Sequence, residues 1–458
     1  MLSYQDNLTN NTLVLGLGRS GLASLDYYSE LKKSGDNDVN VFAYDDSFAK
    51  DEHKFNDLVA SYPRIKLIKN KFEIPFYAID ECVASPGISD EHSVITRFVD
   101  SEKPVVCDIE IFARANTLPV VAVTGTNGKS TVVSWLADVL NRLGYKTLLA
   151  GNIGNPILSN YSFDQGSKFD YVVLELSSFQ LERTQSLKNH VALILNITPD
   201  HMDRYASIDD YKAAKEEIYS NAKCIVMNKD AEDVSTPKFF ESVINYSVDK
   251  EADFSSESIN EEVYLLRGDQ KLVSQNALQL VGKHNLSNAL AVLACCTALG
   301  IDAIDAAREL VHFRGLPHRV EYLGRYKGVH YINDSKATNA DATIAALSGL
   351  DGPIVLILGG DAKAADLSGL TKSVQAKVKK VIAYGKDKHR FVSLLGHLVS
   401  VTEVNAFIDA VELATESAAK DDTVLLSPAC SSLDMFKNYE QRGEEFRRLV
   451  GQLGVANA

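Results

Sequence analysis

Short apolar, β-branched runs alternate with amphipathic stretches along nearly the whole chain. Each short run has the length of a buried strand, and the longer stretches between them have the periodicity of helices that cover a sheet. The strands predicted in this way are residues 12–16, 39–44, 81–84, 120–124, 171–176, 191–197, 329–332, 354–358, 381–384 and 423–426. The alternation predicts an α/β protein built of parallel sheets covered by helices.

The same pattern predicts the helices and divides the chain. Helices are predicted up to Leu31 and over residues 129–143, 211–222 and 285–299, and weak strand signals over 230–280 indicate a peripheral sheet. A chain of 458 residues is too long for one compact core. Breaks near Lys103-Pro104 and at the turn 314–317 (RGLP) predict three domains, at 1–108, 109–314 and 315–458. We expect Rossmann-like first and third domains and a central P-loop-type ATPase domain.

The charge balance excludes some classes of partner. The chain has 61 acidic and 47 basic residues and a formal net charge of −14. Such a chain is repelled at long range by phosphate polymers and anionic lipid. We therefore expect small-molecule substrates, with no nucleic-acid binding and no membrane insertion.

Cellular location follows from the N-terminus and the cysteines. The first residues, MLSYQDNLTNN, are polar and show no secretory signal, and no apolar run is long enough to span a bilayer. Cysteines at 82, 107, 224, 295, 296 and 430 show neither CxxC spacing nor a ligand spacing with histidines. They are interpreted as small buried hydrophobic residues in a reducing compartment, which predicts a cytoplasmic protein.

The strongest chemical signal is a glycine loop between the strand 120–124 and the helix that begins at Lys129. Its sequence, residues 124–131, is TGTNGKST. Such a loop lets backbone N–H groups converge on phosphate oxygens, while Lys129 supplies a charge and Ser130 or Thr131 a hydroxyl for Mg²⁺. The usual G-x-x-x-x-G-K-[ST] spacing requires glycine at 123, where this chain has Val123, so the loop is a shorter variant. An ordinary glycine turn before a helix is the alternative.

Three other residues are candidates for the same site. Glu175 ends a strand and would lie at the same edge of a parallel sheet as the loop, where it could bind Mg²⁺. His201 follows the next strand. Their alternatives are a structural ion pair and a structural histidine. Lys215, followed by Glu216 and Glu217, is by itself typical of a solvated helix face.

A second glycine loop lies in the first domain. Residues 16–21 (GLGRSG) form a full G-x-G-x-x-G between a strand and a helix, and Asp45 ends the next strand. Alone, this pattern favours NAD or FAD, with Asp45 on a ribose hydroxyl. Two phosphate-type loops in separate domains instead suit an enzyme that uses ATP on a second, nucleotide-linked substrate.

Nine segments, the central glycine loop among them, carry a resemblance to a known family. They are GTNGKST (125–131), GNIG (151–154), ELSSFQLE (175–182), DHMDRY (200–205), HNLSNA (284–289), GLPHR (315–319), NDSKATN (333–339), GGDAK (359–363) and SPACSSLDMFKNYEQ (427–441). The chain resembles the Mur ligases of peptidoglycan synthesis nearly end to end. The ATP loop is also shared with folylpolyglutamate synthases, whereas ELSSFQLE, NDSKATN and SPAC…LD indicate the members that add D-glutamate.

The resemblance implies roles for particular residues. Catalytic roles fall to Lys129, Glu175, His201 and Lys215, of which Lys215 would be carbamylated; together with Ser130, the last three would bind two Mg²⁺ ions. ATP would be held by Gly125, Thr126, Asn127, Gly128, Lys129, Ser130, Thr131, Asn285, Asn288, Arg319, Asp334 and Lys336. The UDP substrate would be held by Arg19, Ser20, Asp45, Ser85, Pro86, Gly87, Asn152, Ser177 and Gln180, of which the last three would line the channel for its muramoyl-alanine part. D-Glutamate would be held by Lys336, Thr338, Lys363, Ser432 and Tyr439.

The function implied by the resemblance is an ATP-dependent amide ligation. It would join D-glutamate to UDP-N-acetylmuramoyl-L-alanine through an acyl phosphate, in a protein that we expect to be a monomer. The alternatives are another Mur ligase or a folylpolyglutamate synthase-like ligase, an NAD-dependent oxidoreductase, and a non-catalytic nucleotide-binding regulator. Two positions depart from the family pattern: the Asp45-Asp46-Ser47 turn lacks a basic residue, and Tyr439 stands where phenylalanine is common.

Overall fold

The structure is a computed structural model that describes residues 11–33, 39–160, 168–200, 202, 204–235, 240, 242–280, 282–363 and 365–453. The chain divides into two compact units. The first comprises Met1–Ala277 and Ser287–Val311, and the second Leu278–Leu286 and His312–Ala458. Within the described residues the strands form three sheets, two in the first unit and one in the second. The domain boundaries at 108 and 314 stay predictions.

The first sheet is entirely parallel over its described strands. Its strands are β1 (Asn11–Leu15), β2 (Asn40–Tyr44), β3 (Lys66–Leu67), β4 (Glu81–Ala84) and β5 (Val105–Val106). Their order, β3-β2-β1-β4-β5, reverses direction at β1, which is the Rossmann arrangement. The helices of this region are α1 (Arg19–Lys33), α2 (Glu52–Ser61), α3 (Ser93–Asp100) and α4 (Asp108–Ala115). Short 3₁₀ turns follow at Asp46–Ala49, Lys71–Glu73 and Phe76–Ala78.

The second sheet has a parallel body and an antiparallel edge. Its strands are β6 (Val120–Thr124), β7 (Thr147–Gly151), β8 (Tyr171–Glu175), β9 (Val191–Ile194), β10 (Cys224–Asn228), β11 (Val243–Ser247), β12 (Phe254–Ile259), β13 (Glu262–Arg267) and β14 (Gln270–Ser274). The order is β14-β13-β12-β11-β10-β9-β6-β8-β7, with only the β12–β13 and β13–β14 pairs antiparallel among these. β6 therefore lies between β8 and β9, where the order reverses and ligands of α/β sheets bind.

Helices of this region precede, follow or connect these strands. They are α5 (Lys129–Arg142), α6 (Ile157–Asn160), α7 (Ser178–Leu181), α8 (Ile208–Glu216), α9 (Lys283–Ala298) and α10 (Ala303–Leu310). Two 3₁₀ turns lie at Glu217–Tyr219 and Gln275–Ala277.

The third sheet has one antiparallel edge strand on a parallel body. Its strands are β15 (Glu321–Tyr326), β16 (Val329–Asn333), β17 (Ile354–Gly359), β18 (Val378–Tyr384), β19 (Ser400–Glu403) and β20 (Thr423–Leu426), in the order β15-β16-β20-β17-β18-β19. Its helices are α11 (Ala340–Gly349), α12 (Leu370–Lys377), α13 (Lys388–Leu395), α14 (Phe407–Ser417) and α15 (Tyr439–Gln452).

The predicted α/β class is confirmed, and most predicted strands are present within a few residues of their predicted bounds. The strand predicted over 191–197 is too long, because the chain leaves the sheet after Ile194. The helix predicted over 211–222 begins earlier and gives way to a 3₁₀ turn after Glu216. The strands of the 230–280 region form the edge of the central sheet rather than a separate one. The strands β3, β5, β7, β10, β15 and β19 were not predicted.

Two further expectations concern burial and membranes. All six cysteines are free and buried, which confirms their interpretation as small apolar residues. Across the described part of the chain, we find no helix with the length and apolar character that crossing a bilayer requires.

The helix that follows the central glycine loop is anchored by a tryptophan. Trp135 on α5 is fully buried, and its Nε1–H donates to the main-chain oxygen of Leu310 at 2.9 Å. The indole thus contributes both apolar burial and a satisfied hydrogen bond.

We predict that Trp135→Ala lowers the free energy of unfolding by about 3–5 kcal/mol, because it leaves a large cavity beneath α5. Trp135→Phe keeps most of the volume and should cost less than half as much. The measurement is urea denaturation followed by circular dichroism. A loss below about 1 kcal/mol for Trp135→Ala, within the range of surface substitutions, would contradict this role.

Candidate active site

The central glycine loop connects β6 to α5 at the carboxyl edge of the second sheet. Gly125 and Gly128 both have positive φ, at 147° and 85°, which favours glycine. A Cβ on Gly125 would lie 3.1 Å from the Cβ of Leu195, and one on Gly128 would lie 3.0 Å from Oδ1 of Asn288. The absence of side chains therefore lets the loop pack closely while its amides stay at the start of α5.

The segment after β9 holds this loop in place. Thr126 donates its N–H to the main-chain oxygen of Asn196 at 3.0 Å, and Asn127 donates its N–H to Oδ1 of Asn196 at 2.8 Å. The Asn196 amide donates in return to the oxygen of Asn127. The Thr126 hydroxyl bonds both polar main-chain groups of Thr198. The chain leaves the sheet early at Ile194 because these residues serve the loop instead.

The Lys129 side chain bends over the loop. Its Nζ donates to the main-chain oxygens of Gly125 at 2.6 Å and Thr126 at 2.9 Å. Ser130, the next residue, is buried at the first turn of α5. A positive charge and a hydroxyl therefore lie at the N-terminus of a helix, which is the arrangement that binds nucleotide phosphates.

Glu175 is a buried carboxylate at the end of β8. Its Oε1 accepts from Nδ2 of Asn152 at 2.9 Å, whereas its Oε2 is buried without a hydrogen-bond partner. Gly151 allows the main chains of β7 and β8 to lie close together here, because a Cβ on it would lie 2.2 Å from the main-chain oxygen of Glu175. A buried carboxylate oxygen without a donor costs free energy unless a cation completes it.

Lys215 is buried rather than solvated, in contrast to what its sequence context alone indicates. Its Nζ donates to Oγ1 of Thr124 at 3.4 Å and to the oxygen of Gly125 at 3.2 Å, and lies 4.5 Å from the centre of the Tyr211 ring. Burial, and then the charge of Lys129, lower the pKa of Lys215 to about 7, against the opposing charges of Asp200 and Glu175.

These residues fit a nucleotide phosphate with Mg²⁺. The glycine loop provides amides, Ser130 a hydroxyl and Glu175 an unsatisfied oxygen. Among the residues that the structure describes, no group of three His, Cys, Asp or Glu side chains could hold a metal ion. Mg²⁺ commonly takes one or two protein carboxylates and completes its shell with substrate phosphates and water, so the donor set suits it. His201, the remaining predicted metal ligand, lies outside the described residues.

Six of the residues predicted to hold the UDP substrate follow strands of the first sheet, at its carboxyl edge. Asp45 is already engaged, since its Oδ2 accepts from the Leu17 N–H at 2.6 Å and its Oδ1 from the Ser47 N–H at 2.9 Å. Ser85 donates its hydroxyl to the oxygen of Gly16 at 2.6 Å. These bonds join the glycine loop at 16–21 to the turns that follow β2 and β4. The three segments form one surface, which also includes Ser20, Pro86 and Gly87.

Arg19 links this surface to the central sheet. Its Nη2 donates at 2.8 Å to the oxygen of Gly154, in the loop that follows β7 and contains Asn152. Ser177 and Gln180 lie at the start of α7 and form a capping box, in which Gln180 Oε1 accepts from the Ser177 N–H. The structure thus brings most of the predicted UDP-substrate residues to adjoining edges of two sheets.

In the second unit, several predicted residues meet around the loop after β16. Asp334 is buried and accepts from the Ser427 hydroxyl at 2.7 Å and the Val320 N–H at 3.2 Å. Burial raises the pKa of Asp334 to about 7, opposed mainly by these hydrogen bonds. Lys336 Nζ lies 3.9 Å from the centre of the Tyr439 ring, a cation–π contact.

Other predicted residues of this unit lie on neighbouring segments. Asp361 and Ser431 exchange main-chain hydrogen bonds, which places the loop before Lys363 beside the segment that contains Ser432. Thr338 is exposed just after Lys336. Asn285 belongs to the second unit and Asn288 to the first. The positive charge of Arg319 acts against the raised pKa of Asp334.

Sequence reasoning missed Arg442, on which this region depends. Arg442 is fully buried and donates to the hydroxyl and main-chain oxygen of Ser335 at 2.9 and 2.7 Å, and to the oxygen of Cys430 at 3.1 Å. It therefore joins the NDSK and SPAC segments. Its spacing from Phe446 and Leu449, the buried face of α15, was the available signal.

A phosphate-binding glycine loop, a lysine at a helix N-terminus and a buried incomplete carboxylate define a nucleotide-binding α/β protein with the groups needed for phosphoryl transfer. Comparison with known proteins narrows this class. The family model "Mur ligase middle domain" matches residues 123–296, and "Mur ligase, glutamate ligase domain" matches residues 318–430. The chain belongs to the Mur ligase family.

Curated relatives cover nearly the whole chain. One from Coxiella burnetii (strain Dugway 5J108-111) is 36% identical over 96% of this chain and 99% of its own. One from Yersinia pseudotuberculosis serotype I (strain IP32953) is 37% identical over 99% of this chain and 100% of its own. Both are named UDP-N-acetylmuramoylalanine--D-glutamate ligase.

Solved structures support the fold. The UDP-N-acetylmuramate-alanine ligase MurC of Thermotoga maritima matches with a TM-score of 0.58 and 18% identity, over 96% of this chain and 99% of that one. A pseudomurein peptide ligase type C of Methanothermus fervidus matches with a TM-score of 0.59 and 19% identity, over 97% and 100%.

We predict that Lys215 makes stability depend on pH. The pKa of Lys215 is about 7 in the folded state and near 10.5 in the unfolded state. Between these two values the unfolded state binds a proton that the folded state lacks, so the free energy of unfolding rises with pH. In CO₂-free buffer, wild type should gain stability relative to Lys215→Met as pH rises from 7 to 10, by at most about 1.4 kcal/mol per pH unit. Urea denaturation at several pH values measures this difference.

The matched control is Lys212→Met, on the same helix but partly exposed. It should show no comparable trend. A stability difference between wild type and Lys215→Met that stays constant across this range would contradict the shifted pKa.

Proposed function

We propose that this protein joins D-glutamate to UDP-N-acetylmuramoyl-L-alanine with ATP, and releases ADP and phosphate, in the synthesis of peptidoglycan precursors. The observation that carries the proposal is the near end-to-end likeness to curated relatives of that name. The site supports it, because Lys129, Glu175 and Lys215 lie around one glycine loop.

The chemistry begins with activation of a carboxylate. An oxygen of the L-alanine carboxylate attacks the γ-phosphorus of ATP, and the bond to the β-phosphate bridging oxygen breaks, which gives an acyl phosphate and ADP. Lys129 and the loop amides offset negative charge on the transferring group. Two Mg²⁺ ions would supply further positive charge there, and their protein ligands would be Ser130, Glu175, His201 and a carbamylated Lys215.

Amide formation follows at the carbonyl carbon. The neutral amine of D-glutamate attacks the acyl phosphate, and the tetrahedral intermediate then expels phosphate. The ammonium group must first lose a proton, and His201 is our candidate for the base that takes it. The two carboxylates of D-glutamate bind to cationic and polar groups, which come from Lys336, Thr338, Lys363, Ser432 and Tyr439.

The carbamate on Lys215 has a local chemical basis. CO₂ reacts only with a neutral amine, and burial lowers the pKa of Lys215 so far that about half of its amine is neutral at pH 7. The product is a carboxylate, which removes an unfavourable buried ammonium beside Lys129 and creates an oxygen ligand suited to Mg²⁺.

We propose a cytoplasmic monomer as the working form.

We predict that phosphate release from ATP requires both UDP-N-acetylmuramoyl-L-alanine and D-glutamate. The measurement uses purified protein with a panel of amino acids, and L-glutamate should be inactive because the acceptor site is chiral. Release with a different amino acid would keep the ligase chemistry but overturn the substrate. No release with ATP still bound would favour a nucleotide-binding regulator.

Variants of the loop cluster test the assignment of roles in the same assay. Lys129→Ala and Glu175→Ala should each reduce turnover by about 10³-fold or more, since each removes charge stabilisation of phosphoryl transfer. The exposed Lys223→Ala serves as the control and should retain wild-type turnover. Substantial turnover by folded Lys129→Ala or Glu175→Ala would contradict the proposed mechanism.

We predict a requirement for CO₂ at Lys215. Turnover should fall in CO₂-depleted buffer and return when bicarbonate is added, whereas Lys215→Met should be inactive in both. Carbon-13 NMR with labelled bicarbonate should show a carbamate signal in wild type and Lys212→Met but not in Lys215→Met. Equal turnover and no signal with and without bicarbonate would refute the modification.

A further inference from the structure

Arg183 is a buried cation just after α7, and the mechanism above does not use it. Its side chain is only 4% exposed. A guanidinium is removed from water at a large cost unless its donors are satisfied, so its partners indicate what it does. They lie far away in sequence, at the edge of the first sheet.

Among the residues that the structure describes, the Arg183 side chain has three acceptors, and all of them belong to the segment that follows β4. Nη1 donates to the oxygen of Ser85 at 3.3 Å, and Nη2 donates to the oxygen of Ile88 at 2.8 Å and to Oδ1 of Asp90 at 2.6 Å. The Ile88 N–H also donates to the Ser85 oxygen, which closes a turn. The guanidinium therefore spans this turn from one end to the other.

The turn in question packs against the first glycine loop. The Ser85 hydroxyl bonds the oxygen of Gly16, and a Cβ on Gly16 would lie 2.9 Å from Cδ1 of Ile88. Gly16 has a φ of +80° and leaves no space for a side chain there. The turn and the loop expected to hold the UDP moiety are therefore one packed surface, and a displacement of the turn would carry the loop with it.

The other end of Arg183 is fixed as well. Its main-chain oxygen accepts from the Cys107 N–H at 3.2 Å, and the following Gln185 and Ser186 N–H groups donate to Oε2 of Glu110. The arginine thus extends from a well-held backbone position directly after α7. That short helix begins with the capping box of Ser177 and Gln180, the predicted muramoyl-alanine residues.

We propose that Arg183 is a positioning residue that sets the spacing between the UDP surface at Ser85–Ile88 and the muramoyl-alanine surface at Ser177–Gln180. The inference rests on the proposed function, because only a UDP-linked muramoyl substrate spans both surfaces. Arg183 itself touches neither phosphate nor the reacting carboxylate in this role. It lowers the cost of binding a long substrate by holding its two sites in register before it arrives.

Asp90 orients the guanidinium and provides an independent test. Its carboxylate is 60% exposed, and its second oxygen accepts from Nη2 of Arg204 at 2.7 Å. Burial opposes ionisation of Asp90, but the hydrogen bonds and charges of Arg183 and Arg204 lower its pKa below the ordinary value. Because Asp90 is at the surface, Asp90→Asn should fold normally while weakening the hold on Arg183.

The experiment compares ligands that occupy one surface or both. Isothermal titration calorimetry measures the dissociation constants of UDP alone, of UDP-N-acetylmuramoyl-L-alanine and of a non-hydrolysable ATP analogue. The variants are Arg183→Lys, Arg183→Ala and Asp90→Asn, with the exposed Arg142→Ala as the control. Steady-state kinetics on the same proteins give KM and kcat for each substrate.

For the Arg183 variants we expect the spanning substrate to bind about tenfold more weakly or worse, with UDP and the ATP analogue within about threefold of wild type. Asp90→Asn should show a smaller change of the same kind, and KM for the spanning substrate should rise more than kcat falls. Arg183→Lys, which keeps the charge but not the fork, should recover only part of the loss.

Three outcomes would overturn the inference. These are wild-type binding of the spanning substrate in all variants, equal weakening of UDP and the spanning substrate, or equal weakening of all three ligands. The last result would show a general structural role. Wild-type protein that fails to convert the spanning substrate would instead overturn the proposed function, so the two failures are distinguishable.

Discussion

Two buried ionisable groups of opposite sign beside the central glycine loop are the constraint on which the active site depends. The parallel sheet places them there: Glu175 ends β8 opposite Val123 of β6, and Lys215 comes from α8 to the first residues of the loop. Neither group is fully compensated, since one oxygen of Glu175 lacks a donor and the pKa of Lys215 is lowered to about 7. In a purely structural ion pair, each charged atom would have a partner within the protein. In a site that binds phosphates and cations, the ligands provide the missing partners.

Two buried arginines show how the rest of the molecule supports such a site. Arg183 and Arg442 both direct donors towards main-chain oxygens of turns that carry predicted ligand residues. Arginine suits this task because its planar fork holds several acceptors at fixed angles, which a lysine cannot do. Hydrogen bonds to a buried cation thus add to the packing of apolar side chains in these turns, such as Ile88 and Cys430.

The fold could largely be predicted because its central strands are continuous apolar runs buried on both faces. The strands that were missed include edge strands, which are not buried on both faces and so lack a continuous apolar run. β15, with the sequence EYLGRY, is half-buried, antiparallel and interrupted by a register shift near Gly324, and β19 is the polar SVTE. β10, with the sequence CIVMN, is fully buried and did carry the apolar signal. The strand predicted to reach Ile197 ended early because Asn196 leaves the sheet to bind the glycine loop.

By itself, the sequence determined the α/β class, the phosphate loop and the position of Glu175 at a strand end. These features are local, since they depend on residue order, on the need for glycine where φ is positive and on the alternation of strand and helix. Only the tertiary structure decided that Lys215 is buried, that Arg183 spans the turn after β4 and that Arg442 joins two distant segments. A charged side chain on a helix or in a turn has the same local pattern whether it faces water or carbonyl oxygens. What distinguishes the two cases is its partner, which packing brings from elsewhere in the chain.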